Sequence, residues 1–153
     1  MIEGVKTIPL RLIKDDRGIV MHMMRSDSPW FKQFGEVYFS LVYSNIVKAW
    51  KRHKRMTQNF AVPEGEIKLV LYDDREASPT FGMIQELRLS LENYCLVQIP
   101  PMVWYGFQCV NPSHALIVNC PDMPHDPAES EMVAFSGSAI PYQWESNKYD
   151  RGP

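Results

Sequence analysis

The chain has 153 residues, of which 45% are hydrophobic, and its formal net charge is −2. This length suits one globular domain over residues 1–153, with a core at about 5–135 and an irregular tail at 136–153. The near-neutral charge disfavours a general nucleic-acid binder, and no window approaches the roughly 20 apolar residues of a membrane span.

Short alternating or β-branched runs recur between polar and Gly/Pro-bearing turns. We predict strands at residues 5–13, 19–24, 36–43, 46–52, 59–62, 66–72, 83–89, 94–99, 104–110 and 115–119. Many short strands at this spacing are typical of a β-sandwich or barrel. Residues 28–34 and 126–133 have a helical pattern, but both segments are short. The prediction is therefore an all-β domain with short peripheral helices.

The cysteines indicate the compartment. Cys95, Cys109 and Cys120 lack CxxC spacing and lie in apolar, strand-like surroundings, as reduced core thiols of an intracellular protein do. The N-terminus has no basic stretch followed by an apolar run, so it does not resemble a secretory signal. We expect a cytoplasmic protein without a membrane partner.

The run KAWKRHKR at residues 48–55 contains five cations and one histidine. Regular strand alternation puts Lys51 and His53 on one face and Lys48 and Trp50 on the other. Because unpaired buried charge is expensive, such a strand must face solvent or line a polar cavity, and the cavity would bind an anion. Nucleic-acid binding is a minor alternative, since it requires a wider positive surface than the acidic remainder of the chain offers.

Four motifs then occur in order: DDRG at 15–18, KAWKRHK at 48–54, IKLVLYDDREASPTFG at 67–82 and IPPMVWYGF at 99–107. Together they resemble the signature of the dTDP-4-dehydrorhamnose 3,5-epimerase family within the RmlC-like cupins. The similarity is greatest to a divergent branch with WxxHK and VWYGF motifs. The resemblance implies a double-stranded β-helix, a cupin jelly roll, in a homodimer that exchanges strands and places the nucleotide at the subunit boundary.

The chemistry that the resemblance implies is proton removal next to the C4 ketone of a nucleotide-linked 6-deoxyhexulose, followed by reprotonation from the opposite face. One or both of C3 and C5 would be inverted. Such a reaction needs a base, an acid and a cation or donor at the developing enolate oxygen. It implies no metal and no redox cofactor.

The resemblance also assigns the base and the group that faces the ketone. Lys68 falls on the lysine that faces the sugar ketone in the family. The family's base histidine aligns with Lys51, and His53 lies two residues later on the same face. Either residue is a candidate base, Lys51 if burial and neighbouring cations lower its pKa. The late aspartate that pairs with the family histidine has no counterpart in residues 132–144.

The acid position is altered as well. The tyrosine expected on the strand after VWYGF falls near Asn119, which donates a hydrogen bond but is no proton-transfer acid. Asn119 is therefore a substrate-binding candidate. Tyr105 stands where the commoner family pattern has a histidine, and its phenol is a candidate acid or hydrogen-bond donor.

Further binding candidates follow from the same resemblance. Arg17 matches an arginine that meets the nucleotide diphosphate from the neighbouring subunit. Lys48 occupies the position of the arginine that begins the family's RGLH motif, so it would hold phosphate as a point charge. His22 replaces a family glutamate, and Glu129 or Glu131 matches a late glutamate near the nucleotide.

Two alternative functions remain open. The first is a cupin that keeps the sugar-nucleotide pocket but has lost turnover, because the base and acid positions are altered. The second is a metal-dependent cupin, which generally supplies HxH, a glutamate and a later histidine. Here only His53 stands in the first motif, and Lys51 two residues earlier would repel a divalent ion, so the metal hypothesis is the weaker one.

Overall fold

The computed structural model describes residues 1–137 and 139–145. Its elements in chain order are β1 Lys6–Pro9, β2 Leu12–Asp15, β3 Gly18–Met21, β4 Tyr38–Tyr43, β5 Val47–His53, β6 Gln58–Glu64, β7 Glu66–Asp73, β8 Ile84–Ser90, β9 Cys95–Ile99, β10 Val103–Cys109, β11 His114–Asn119, a 3-10 helix Pro127–Glu129 and β12 Ser130–Met132. Strands account for almost all of the regular secondary structure in the described residues.

Two five-stranded antiparallel sheets form the body of the protein. The first, with order β1-β9-β6-β11-β4, is called the β4 sheet below; the second, with order β12-β5-β10-β7-β8, is called the β5 sheet. Apolar side chains from both sheets, such as Phe60 and Ile117 from the first and Leu69 and Phe107 from the second, form one core between them. Strands β2 and β3 form a separate hairpin.

The all-β prediction is confirmed, and each predicted run overlaps an observed strand, with residues 5–13 overlapping both β1 and β2. The helix predicted at residues 28–34 is wrong, because that segment forms turns that are fixed by contacts with other parts of the chain; the Trp30 carbonyl, for example, accepts a hydrogen bond from Gln98. The helix predicted at 126–133 reduces to the 3-10 turn and β12, because residues 130–132 pair with β5.

The tail contributes to packing on the outer face of the β5 sheet. Ile140, Tyr142 and Trp144 pack there around the buried Trp50. The predicted end of the tail, residues 146–153, lies outside the described residues. Among the described residues, no helix has the length and apolar character needed to cross a bilayer. All three cysteines are free and buried, as predicted.

Glu129 holds the end of β5 in place. The side chain is 2% exposed, and its carboxylate accepts hydrogen bonds from the backbone N–H of Arg55, from that of Met56 at 2.6 Å and from Arg55 Nε at 3.1 Å. Burial alone would raise the pKa of Glu129, but these hydrogen bonds outweigh burial and lower the pKa. The carboxylate expected near the nucleotide is therefore already satisfied within the fold.

We expect Glu129→Gln to lower the free energy of unfolding by about 1.5–3 kcal/mol at pH 7, because hydrogen bonds to a buried charge are lost. The pKa of the folded state lies below the unfolded value of roughly 4.3, so the stabilisation is complete above that value. It disappears as pH falls through the folded pKa. Denaturant unfolding of both proteins at a series of pH values measures the difference.

Glu131→Gln is the matched control, because the Glu131 side chain is 40% exposed and pairs with Arg52. An exposed ion pair contributes at most about 1 kcal/mol. Equal losses in the two variants would contradict the role given to Glu129.

Candidate active site

A cavity of about 440 Å³ lies between the two sheets. This volume is in the range of small-molecule sites. Its apolar part is formed by Val47, Phe60, Phe107 and Ile117, among others, and its polar lining consists of Tyr38, Ser40, Lys48, Lys51, Tyr105 and Asn119. Four of the residues predicted from the sequence, Lys48, Lys51, Tyr105 and Asn119, are thus brought together.

An irregularity in β5 brings both lysines to the cavity. In the pairing of β10 with β5, Tyr105 lies opposite Lys51 and Phe107 lies opposite Lys48, so the single residue between them on β10 faces two residues on β5. An extra residue of this kind is a β-bulge, and it shifts the alternation of side chains. The prediction that Lys48 and Lys51 face opposite sides is therefore wrong.

Lys51 and Tyr105 form a cross-strand pair on the β5-sheet wall of the cavity. Directly opposed residues in an antiparallel ladder have Cβ atoms roughly 4.5–5.5 Å apart. Burial lowers the pKa of Lys51, and the carboxylate of Glu36 partly opposes this shift. A larger fraction of Lys51 is consequently neutral amine at a given pH than for a solvated lysine.

His53 contacts this pair through Tyr105 but is not among the residues that line the cavity. Its Nε2 is 3.2 Å from the Tyr105 hydroxyl, and the imidazole is buried. The pKa of His53 is lowered to about 4, mainly by burial and also by the charges of Lys51 and His125, while Glu129 partly opposes the shift. Burial also raises the pKa of Tyr105 far above its usual value. At neutral pH the pair is an uncharged imidazole beside an uncharged phenol.

The β4 sheet supplies the facing wall through Tyr38 and Asn119, which are paired in the ladder of β4 and β11. Asn119 donates from Nδ2 to the Tyr38 hydroxyl at 2.8 Å and also to the Gln58 side chain, while its Oδ1 accepts from the backbone N–H of Asn59 at 3.0 Å. Sequence reasoning missed Tyr38 and Gln58. The signal for Tyr38 was the polar spacing of Tyr38 and Ser40 on the inner face of a predicted strand.

Lys68 is not brought to the cavity. Alternation along β7 places Ile67 and Leu69 in the core and Lys68 on the outer face of the β5 sheet. There its Nζ lies 3.2 Å from the carboxylate of Glu145 and 5.8 Å from the ring centroid of Trp144. Because successive residues of a strand point to opposite faces, Lys68 cannot share the inner face with Ile67 and Leu69.

Two predicted binding residues lie on or beside the separate hairpin. Arg17 is in its turn, highly exposed and hydrogen-bonded to Asp15. His22 follows β3. Neither residue lines the cavity within this chain. Across residues 1–137 and 139–145, no group of three or more His, Cys, Asp or Glu side chains is arranged to hold a metal ion.

Comparisons with known proteins agree with this architecture. The family model described as dTDP-4-dehydrorhamnose 3,5-epimerase matches residues 1–152. This chain belongs to that family. A probable low-salt glycan biosynthesis epimerase of Haloferax volcanii, Agl13, is 31% identical over 95% of this chain and 96% of its own length. The spore coat polysaccharide biosynthesis protein SpsL of Bacillus subtilis is 28% identical over 95% of this chain and 98% of its own length.

A solved structure extends the similarity to three dimensions. The crystal structure of a dTDP sugar isomerase from Desulfovibrio desulfuricans superposes with a TM-score of 0.91 at 51% identity, covering 94% of this chain and 92% of that one. The predicted RmlC-like cupin fold is confirmed, and membership of this epimerase family places the protein among the isomerases.

We expect the His53 imidazole to titrate near pH 4 in the folded protein, which histidine NMR measures directly. In Lys51→Met the pKa of His53 should rise, because one of the charges that lowers it is removed. In contrast, Lys54→Met should leave it unchanged, because Lys54 is an exposed residue that contacts the Ala128 carbonyl. Titration of His53 near the model-peptide value of roughly 6.5 would show that the imidazole is solvated.

Proposed function

We propose that this protein epimerises a nucleotide-linked 4-keto-6-deoxy sugar at C3, C5 or both, in polysaccharide or deoxysugar biosynthesis. The observation that carries the proposal is the Lys51–Tyr105 pair, which faces a cavity of sugar size in a chain of this family. The names of the archaeal and Bacillus relatives, which refer to glycan and spore coat polysaccharide biosynthesis, support the metabolic context.

Lys51 acts as the base in this proposal. It lines the cavity, whereas His53 is not among the lining residues and its Nε2 is engaged by Tyr105. A lowered pKa makes the neutral amine available to remove the proton on the carbon next to the ketone. The electron pair of the C–H bond then moves into the enolate, and the negative charge develops on the ketone oxygen.

Tyr105 donates a hydrogen bond to that oxygen. When His53 carries its proton on Nε2, the imidazole donates to the phenol oxygen and leaves the phenol hydrogen free for a ligand. A neutral donor held in a fixed position stabilises a developing oxyanion without reorganising. His53 is then a positioning residue for Tyr105.

Lys48 and Asn119 complete the contacts that one chain offers to the substrate. Lys48 lines the cavity with its Nζ 3.5 Å from the Ser40 hydroxyl, and its charge would meet the diphosphate. We propose that Arg17 and His22 contribute from the hairpin of a second subunit. We also propose a cytoplasmic location, which the free buried cysteines support.

Lys51→Met should lower epimer formation by about 100-fold or more, because the base is removed while much of the side-chain volume is kept. The measurement is deuterium incorporation at C3 and C5, followed by NMR in deuterated water, with dTDP- and CDP-linked 4-keto-6-deoxy sugars. Lys54→Met removes a nearby surface cation and should retain wild-type rates. If the wild-type protein introduced no deuterium into any of these sugars, the epimerase function would be excluded.

The alternative of a binding protein without turnover is favoured by one observation. In the described part of the chain, His53 has Tyr105 as its hydrogen-bond partner and no carboxylate. Calorimetric titration with the same nucleotide sugars separates the cases. Heat of binding without deuterium exchange would support the alternative, whereas absence of both would count against both functions.

We propose a homodimer that exchanges strands. Strand β4 is an edge strand, and its outward side chains Phe39, Leu41 and Tyr43 are exposed. The β2–β3 hairpin also pairs with no other strand of the described chain. Apolar edges of this kind are commonly covered in an assembly.

We expect sedimentation analysis to give the mass of two chains, and Leu41→Glu to shift the equilibrium towards the monomer by burying a charge at the interface. Glu92→Lys, on an exposed turn, should leave the assembly unchanged. A wild-type protein that sediments as a monomer at micromolar concentration would contradict this assembly.

A further inference from the structure

We propose that Tyr38 is the catalytic acid, reprotonating the enolate from the face opposite Lys51, with Asn119 as its positioning residue. The inference rests on the proposed epimerase function and adds a residue to it. Neither Tyr38 nor a role for strand β4 in the chemistry follows from the motifs in the sequence.

The two groups lie on opposite walls of one cavity. Lys51 is on β5 in the β5 sheet, and Tyr38 is on β4 in the β4 sheet, and both side chains line the space between the sheets. A flat sugar enolate in that space presents one face to each wall. Inversion requires removal from one face and delivery to the other, and this arrangement supplies one group for each.

Tyr105 is less suited to the delivery step. It is paired directly with Lys51 on the same sheet, so both groups approach the ligand from the same wall. Its hydroxyl also lies within hydrogen-bond distance of His53, and the residue is buried. Tyr105 is therefore placed to donate a hydrogen bond to the ketone oxygen, and Tyr38 is placed to donate a proton to the carbon.

The orientation of the Tyr38 hydroxyl follows from its partner. The Asn119 amide is fixed by the backbone N–H of Asn59, which donates to Oδ1, so Nδ2 must be the end that points to Tyr38. The Tyr38 oxygen accepts this hydrogen bond at 2.8 Å, and its own O–H remains free to donate. An oxygen that accepts from an amide is also stabilised once it becomes a phenolate.

Charges around the cavity agree with this placement. The carboxylate of Glu36 opposes the lowering of the pKa of Lys51 and also contributes to raising the pKa of Tyr38, so one charge acts on both side chains. Burial is the main cause that raises the pKa of Tyr38, and the hydrogen bond from Asn119 opposes it. The phenol therefore remains protonated, as an acid must be, at neutral pH.

The proton balance closes through solvent. Lys51 gains the proton removed from carbon, and the Tyr38 O–H bond breaks as the enolate electrons form the new C–H bond and the ketone is restored. The enzyme is left with a Lys51 ammonium and a Tyr38 phenolate. Tyr38 is 39% exposed, so water can return a proton to it while the ammonium loses one to solvent.

The test is Tyr38→Phe with dTDP-4-keto-6-deoxyglucose in deuterated water, with epimer formation and deuterium in the recovered substrate measured separately. We expect epimer formation to fall by about 100-fold or more. Deuterium should still enter the recovered substrate with its original configuration, because the three exchangeable hydrogens of the Lys51 ammonium can return deuterium to the same face. The ratio of exchange to inversion therefore rises.

Two further variants make the result specific. Tyr94→Phe removes a phenol hydroxyl outside the cavity and should behave as wild type. Incorporation of 3-fluorotyrosine at position 38 keeps the shape and lowers the pKa of the phenol, so the alkaline limit of inversion should move to lower pH. Equal thermal midpoints would show that all these proteins are folded.

Three results would overturn the inference. Unchanged epimer formation in Tyr38→Phe would remove Tyr38 from the reaction and leave the proposed function standing. Equal losses of exchange and inversion would identify a contribution to binding or structure instead of proton delivery. Absence of exchange in the wild-type protein with every one of the dTDP- and CDP-linked 4-keto-6-deoxy sugars would overturn the proposed function itself, and this inference with it.

Discussion

The pairing of β5 with β10 is the contact on which the rest of the site depends. It sets Lys51 opposite Tyr105, and its bulge turns Lys48 towards the same cavity. The other edge of β5 is held by β12, and the Glu129 carboxylate binds the backbone that follows β5. A side chain with four rotatable bonds is useful as a base only if its backbone is fixed, and three sets of hydrogen bonds fix this one.

Burial between the sheets determines the charge states of the site. His53 is neutral at pH 7, Tyr38 and Tyr105 remain protonated, and the pKa of Lys51 is lowered. The imidazole and the two phenols are therefore uncharged in the resting site. Proton removal would create an ammonium and an enolate together, and opposite charges attract strongly where the effective dielectric is low. The same burial that makes Lys51 available as a base thus favours the ion pair that its reaction produces.

The sequence was sufficient for the positions of most strands along the chain, because apolar spacing reveals the alternation of the backbone. The family resemblance supplied four of the residues that line the cavity, Lys48, Lys51, Tyr105 and Asn119. The sequence-based predictions failed for side chains whose strand face was assigned incorrectly. Lys68 was assigned to the sugar but lies outside the β5 sheet, and Lys48 was assigned away from Lys51 but joins it through the bulge. Tyr38 was missed because the orientation of its hydroxyl depends on a hydrogen bond from Asn119, 81 positions away in the chain. Pairing between distant strands is not visible in local sequence patterns.

The charge of residues 48–55 is divided between two tasks. On the outer face Arg52 lies 4.5 Å from the centre of the Trp104 ring and is hydrogen-bonded to Asp74 and Glu131, and Arg55 is bound by Glu129. These contacts neutralise the outward cations and hold β5 to its neighbours. Lys48 and Lys51 are the cations of the run that line the cavity, so its positive field is concentrated where a diphosphate and an enolate would lie. The basic run is thus a structural strand in which two lysines, Lys48 and Lys51, place their charges at the cavity.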